Sequence, residues 1–163
     1  MSEQDLTLNE KIVNSTIMVD DKHLTLRLDG EDYALKVKSI LEIVGIVPIT
    51  SLPNLPVYVM GVINLRGKVF PVIDIRKRFG LEEIPYNDRT CIIIVHNKGM
   101  SVGLIVDDVS EVISIPEERI LPPPKITKSK AGKFIKGLGK TNNGVKLILD
   151  IHKILFDEIN EDK

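Results

Sequence analysis

Few residues in this chain have the types and spacing for chemistry. Gly139-Lys140-Thr141, inside the run GLGKT, looks like the end of a phosphate-binding loop. Such a loop needs a glycine five residues before Gly139, where this chain has Phe134. It also needs a helix afterwards, where Asn142-Asn143-Gly144 reads as a tight turn. His23, His96 and His152 sit alone on segments that read as different elements, and no HExxH or CxxC spacing supports zinc. Asp107-Asp108 offers two carboxylates, but paired acids at a strand end read first as a solvated turn and only second as a cation site. Cys91 is the single cysteine, in the apolar run CIIIV, and reads as a buried, inert thiol rather than a nucleophile. One thiol forms no internal disulfide, which fits a reducing compartment. No serine elbow or cysteine–histidine spacing is present. No catalytic, cofactor or metal residue is assigned, and the expectation is a protein that binds rather than transforms.

Composition narrows the partners. The 163 residues carry 22 basic and 23 acidic side chains, for a net charge of −1, so no strong basic field gathers nucleic acid or an anionic membrane. Aromatic content of 4% leaves little to stack on bases. A small β-barrel nucleic-acid binder remains a rival reading, supported by Lys125, Lys128, Lys130, Lys133 and Lys136. A chain of this length buries about 70% of its unfolded surface and needs no metal or disulfide to fold. Residues 1–10 are polar and acidic, without the apolar core of a signal peptide, and no run reaches the length of a membrane span. A cytoplasmic protein without membrane insertion is expected.

The elements that would position a binding site are short strands. Residues 1–15 read as a tail. Leu24, Leu26 and Leu28 alternate with polar residues, Asp29-Gly30 makes a hairpin corner, and residues 33–37 return. Ile40, Ile43 and Val44 have helical spacing, which predicts a short helical turn over 39–44 and a strand over 45–49. Pro53 and Pro56 make 51–57 a loop. Strands over 62–65 and 69–75 flank Arg66-Gly67-Lys68, a short helix over 74–79 closes at Gly80, and 82–89 is a polar connection. Strands follow at 91–95 and 100–106, with another carried by Val109, Val112, Ile113 and Ile115. Three prolines from Pro122 and the lysine-rich 125–133 form a surface loop. Residues 134–138 and 145–149 pair across Asn142-Asn143-Gly144, and Ile151, Ile154 and Leu155 give a terminal amphipathic helix. About ten short strands with tight turns imply closed or nearly closed antiparallel sheets. Val72 and Ile94 are read as core.

The corner Arg66-Gly67-Lys68 stands out. Gly67 can take the positive φ such a turn needs, and the turn sets a permanent charge beside two apolar strands. The run GVINLRGKVFPVIDIR over residues 61–76 resembles the Asn-Leu-Arg-Gly region of the CheW chemotaxis coupling family. The likeness extends in family order over roughly 24–155. It includes Tyr33-Ala34-Leu35, then Ile40 with Glu42-Ile43, then VGLIVDDVSEVISI from Val102 to Ile115, with counterparts for the triple proline and Gly137-Leu138-Gly139. It implies a mainly β fold of two intertwined five-stranded SH3-like barrels with a short C-terminal helix. One CheW-like domain is expected over 16–157, with approximate barrels at 16–84 and 85–150 between which the chain can cross, and a tail at 158–163.

The same resemblance implies a non-enzymatic adaptor that binds the regulatory domain of the CheA histidine kinase and the cytoplasmic tip of methyl-accepting chemoreceptors. Ile40, Glu42, Val62, Arg66, Ile105 and Val106 would line or flank a receptor groove, with Gly61 loosely placed on the kinase-facing surface. Many members follow the Glu-Ile pair with arginine where this chain has Val44, a departure that bears on receptor specificity. Read as residues alone, Ile40 and Val62 serve equally as core or as exposed knobs, since one register slip reverses a strand's faces. Arg66 reads as either a solvated corner or an interface anchor, and its apolar flanks favour the anchor. A CheV-type adaptor, which adds a receiver domain, is a nearer alternative. The chain runs about eight residues past the terminal helix, too few for a receiver.

Overall fold

A computed structural model describes residues 21–123 and 130–157. The expected tails at 1–15 and 158–163, and Lys125 and Lys128 of the lysine-rich loop, lie outside the described residues. Alternating apolar residues give eleven strands: β1 (Lys22–Leu28), β2 (Glu31–Lys36), β3 (Ile40–Gly45), β4 (Val59–Leu65), β5 (Lys68–Asp74), β6 (Cys91–Asn97), β7 (Met100–Val106), β8 (Asp108–Ser114), β9 (Ile120–Leu121), β10 (Ile135–Thr141) and β11 (Gly144–Leu149). Two short helices, α1 (Ile75–Arg78) and α2 (Ile151–Phe156), follow β5 and β11.

The strands form two sheets, ordered β8-β1-β2-β11-β10-β9 and β3-β6-β7-β5-β4. The architecture is mainly β in two intertwined subdomains, as expected, although the first sheet has a sixth, two-residue strand and neither barrel is closed by a continuous ladder. Both sheets draw strands from before and after residue 84, so the chain crosses between them.

The two sheets match strand for strand. Each runs from an edge strand through an antiparallel hairpin (β6-β7 or β1-β2), a parallel step (β7-β5 or β2-β11) and a second hairpin. Bulges fall at equivalent places: Ile40/Glu42 beside Leu24/Leu26, and Val59/Gly61 beside Ile135/Gly137. The bridge of Thr50 to Val62 stands where β9 pairs with β10. The second hairpin leads in each case into a helix capped by an aspartate. Asp74 accepts from the backbone N–H of Arg76 and Lys77, and Asp150 from that of Lys153. The sequence pairs Val-Ile-Asp-Ile (72–75) and Ile-Leu-Asp-Ile (148–151) carry this repeat.

Period-2 alternation fills three cores. On β6 and β7, Ile93, Val95, Val102, Leu104 and Val106 face the cluster between the sheets, where Phe79 stacks on Phe134 at 5.1 Å. Ile92, Ile94 and Ile105 face the interior of the second sheet with Ile63, Leu65 and Val72. Ala34, Ile115 and Ile148 fill the first.

Three expectations change in detail. Residues 39–44 are not a helical turn: a 3-10 turn spans Val37–Ser39, and β3 begins at Ile40 and stops at Gly45, leaving 46–49 outside any strand. The bulge between Ile40 and Glu42 explains the misreading, because one extra residue turns a period of two into an apparent helical spacing. Phe134 ends a 3-10 turn (Lys130–Phe134) instead of opening a strand, and its ring is fully buried.

Val72 and Ile94 are buried as expected, and alanine at either is expected to cost about 2–4 kcal/mol, read as a lowered urea midpoint at constant m-value. His23 is also buried; its Nδ1–H donates to the Asp21 carbonyl, and Nε2 has no partner among the described residues. Burial, aided by the nearby Lys36 and Lys136, lowers its pKa against the opposing hydrogen bond to Asp21. The unfolded chain therefore binds more protons below pH about 6.5, so this contribution is full above that pH and is lost on acidification. His23→Gln is expected to flatten the fall in urea midpoint between pH 7 and 5; an unchanged slope would place the sensitivity elsewhere.

Candidate functional site

The β4–β5 hairpin turns through Arg66 and Gly67, both at positive φ (52° and 86°). Such a turn fits the twist of its strands and carries the arginine at the tip. The side-chain carbonyl of Asn64 accepts from the Gly67 backbone N–H at 3.0 Å and holds the corner. Arg66 is exposed (71%), and its guanidinium donates to the Glu42 carboxylate on β3, at the opposite edge of the sheet. This hydrogen bond, with the charge behind it, raises the pKa of Arg66 further.

The seam between β3 and β4 is thus spanned twice. At one end Thr50 and Val62 exchange two backbone hydrogen bonds of 2.9 Å; at the other sits the Arg66–Glu42 pair. Beside that pair lies a cleft of about 200 Å³ lined by Leu41, Leu65, Lys68, Phe70 and Ile94. Leu41, which lines it, is exposed, whereas Ile43 and Val69 are exposed on the opposite faces of their strands. The arrangement pairs a fixed charge with an apolar rim, which suits docking of a protein segment.

The expected site residues divide by depth. Arg66 and Glu42 meet directly. Val62 is half-buried and pairs with Pro71, on the face of β4 opposite Ile63. Ile40 is half-buried too, but packs against the core between the sheets. Ile105 and Val106 are buried, at 2% exposure each, on opposite faces of β7; they support the surface from beneath. Gly61 is also buried: a Cβ there would stand 2.0 Å from the Thr50 carbonyl oxygen, and its φ is +141°. Val44 is half-buried against the interior of the second sheet. Leu41 and Phe70 were missed from the sequence; the bulge that exposes Leu41 leaves no periodic signal.

The acid pair resolves into structure. Asp107 takes both hydrogen bonds of a two-pronged contact with Arg76, at 2.7 Å each, and also accepts from the Asp29 backbone N–H at 2.9 Å. Burial alone would raise its carboxyl, but these bonds outweigh it and hold the group below its usual range. No cluster of three metal-ligating side chains exists among the described residues. No helix among them is long and apolar enough to cross a membrane. Lys140-Thr141 belongs to a hairpin, with Thr141 Oγ1 donating to the Gly144 carbonyl, and not to a phosphate loop.

Gly61→Ala is expected to lower the melting temperature markedly, because backbone and not a flexible side chain fills the space. Arg66→Ala, on an exposed corner, is expected to move it little.

Residues 22–158 match the family model of the CheW-like domain. The chain is 35% identical over 157 residues to the chemotaxis protein CheW of Helicobacter pylori, covering 93% of this chain and 94% of that protein. It is 33% identical over 149 residues to the Bacillus subtilis protein of the same name, covering 91% and 96%. The crystal structure of the scaffolding protein TtCheW from Thermoanaerobacter tengcongensis superposes with a TM-score of 0.79 at 40% identity, covering 86% of this chain and 94% of that one. The chain belongs to the CheW-like domain family.

Proposed function

We propose that this protein is a non-enzymatic chemotaxis adaptor that couples the CheA histidine kinase to methyl-accepting chemoreceptors in signalling arrays. The observation that carries the reading is the exposed Arg66 tip, braced by Glu42 and bordered by Leu41, Leu65 and Phe70. An amphipathic helix presents both things this surface accepts: an apolar stripe for the rim, and carboxylates or terminal carbonyls for the guanidinium. Arg66 is the specific contact and the aliphatic rim supplies buried area. Glu42 orients the guanidinium and competes with any incoming carboxylate, so it moderates affinity as well as supporting geometry.

In this reading the receptor tip takes this groove and the kinase regulatory domain takes a barrel end near Gly61. Since Gly61 is buried, a substitution there acts on the kinase surface through the packing of residues 50–51. Two modest contacts suffice for such an adaptor, because linkage within an array raises effective concentration. The working place is the cytoplasmic face of the receptor array.

Arg66→Ala is expected to weaken binding of a receptor-tip fragment at least about tenfold while leaving the kinase regulatory domain bound, read by a pull-down of the ternary complex. Unchanged receptor affinity would remove the anchor role, and a folded protein that binds neither partner would remove the adaptor reading.

A further inference from the structure

The first sheet repeats the geometry of the Arg66 cleft with different electrostatics. In the strand-for-strand match, β8 corresponds to β3 and the β10–β11 turn to the β4–β5 turn. A cleft of about 180 Å³ lies at this second seam, lined by Glu111 and Ser114 of β8, by Arg119, and by Lys140, Asn142 and Lys146 of the hairpin. In the second sheet the cation at the seam is neutralised by Glu42. Here Lys146 is held at 2.9 Å by Asp32, whereas Arg119 and Lys140 form no ion pair among the described residues. Glu111 stands on the edge strand where Glu42 stands on β3, yet the bonds shown are of its backbone: its N–H donates to Thr25 Oγ1, which in turn donates to its carbonyl.

The strand beside this cleft is also open. β8 is the terminal strand of its sheet; β1 pairs with its inner side, and its outer edge has no strand partner among the described residues. Val112 on this strand is exposed at 52%. Unpaired edges template pairing with another chain unless a covering segment, inward charge or a bulge blunts them; the bulge of β8 lies within Val109–Val112 and leaves Val112–Ser114 in regular register.

We propose that this seam docks an acidic, extended segment of a partner protein, which adds main-chain hydrogen bonds to the outer edge of β8 and sets carboxylates against Arg119 and Lys140. Charge complementarity selects an acidic segment. The open edge selects a peptide over a lone anion: exposed side chains leave a small ion hydrated, while strand addition supplies hydrogen bonds that a small ion cannot make. The site lies on the other sheet from the Arg66 cleft and goes beyond the adaptor reading, on which it does not depend.

The test titrates the ¹⁵N-labelled full chain with a capped hexapeptide of alternating glutamate and threonine. The expected result is saturable amide shifts concentrated at residues 110–114, 119 and 140–143, with the matching lysine–threonine peptide giving none. The pair Arg119→Glu with Lys140→Glu is expected to weaken binding at least about tenfold. Should that pair disturb the fold, Arg119→Gln with Lys140→Gln is expected to weaken it at least about threefold with an unchanged spectrum elsewhere. Shifts scattered over other lysines, undiminished binding by the folded variant, or the same shifts and affinity from inorganic phosphate would each overturn the proposal.

Discussion

The fold turns on one partly buried charge pair at the point where the chain changes sheets. Only Asp107 separates β7, in one sheet, from β8, in the other. Its two carboxylate oxygens grip Arg76, which also donates to the Glu82 carbonyl at 2.6 Å and is 8% exposed. Asp107 further accepts from the backbone of Asp29 in the β1–β2 turn. A helix of the second sheet, the crossover and a hairpin of the first are thereby tied at one place. Without Asp107, the Arg76 guanidinium would keep only the Glu82 carbonyl and the more distant Asp29 carboxylate. A second arginine repeats the theme two residues on. Arg78 is buried against the Tyr58 and Phe134 rings and donates to the carbonyls of Lys153, Ile154 and Asp157, satisfying the open end of α2. The two arginines lock the crossover and the C-terminal helix to the same short segment.

Around that lock, the alternation of strands does most of the work. Ile92 and Ile93 are neighbours in sequence, yet they belong to different cores. A sheet with apolar residues on both faces cannot stand alone in water, so each sheet needs its own curled interior and the other sheet's outer face. This is why the runs at 91–95 and 102–106 are nearly continuous in apolar residues instead of alternating. The surfaces proposed for docking are the seams, where curling brings an edge strand near a hairpin tip without pairing them. The Arg66–Glu42 contact is one such seam, bridged by charge.

Much of this was legible in the sequence, for identifiable reasons. Hairpins were legible because Asp29-Gly30 and Arg66-Gly67 need positive φ at both positions, and the structure has it at all four. Arg66 and Glu42 were named from their place in a familiar run of residues, though not as partners, since 24 positions separate them. Ile105 and Val106 were named as groove residues, but two adjacent strand residues cannot share a face, and both proved buried. The bulge in β3 hid a strand behind helical spacing. Asp107 read as a solvated turn because its partner, Arg76, lies 31 positions away in a segment that gave no sign of burial. The paired Ile-Asp-Ile and Leu-Asp-Ile segments held the internal repeat in plain view, yet they are too short to register as one.

The interleaving of the sheets has a consequence for how the chain comes together during synthesis. Strands β3 to β7 are contiguous, so every strand of the second sheet exists once residue 106 has emerged. The first sheet opens with β1 and β2 but must wait for β11, whose Leu147 pairs with Tyr33 across more than a hundred residues. Loop closure over that span is slow compared with local hairpins. Until it happens, the β1–β2 hairpin has an apolar face and an open parallel edge with no lasting neighbour. The second barrel is then the only completed surface on which it can rest, and the N-terminal hairpin is kept in reserve until the end of the chain arrives to claim it.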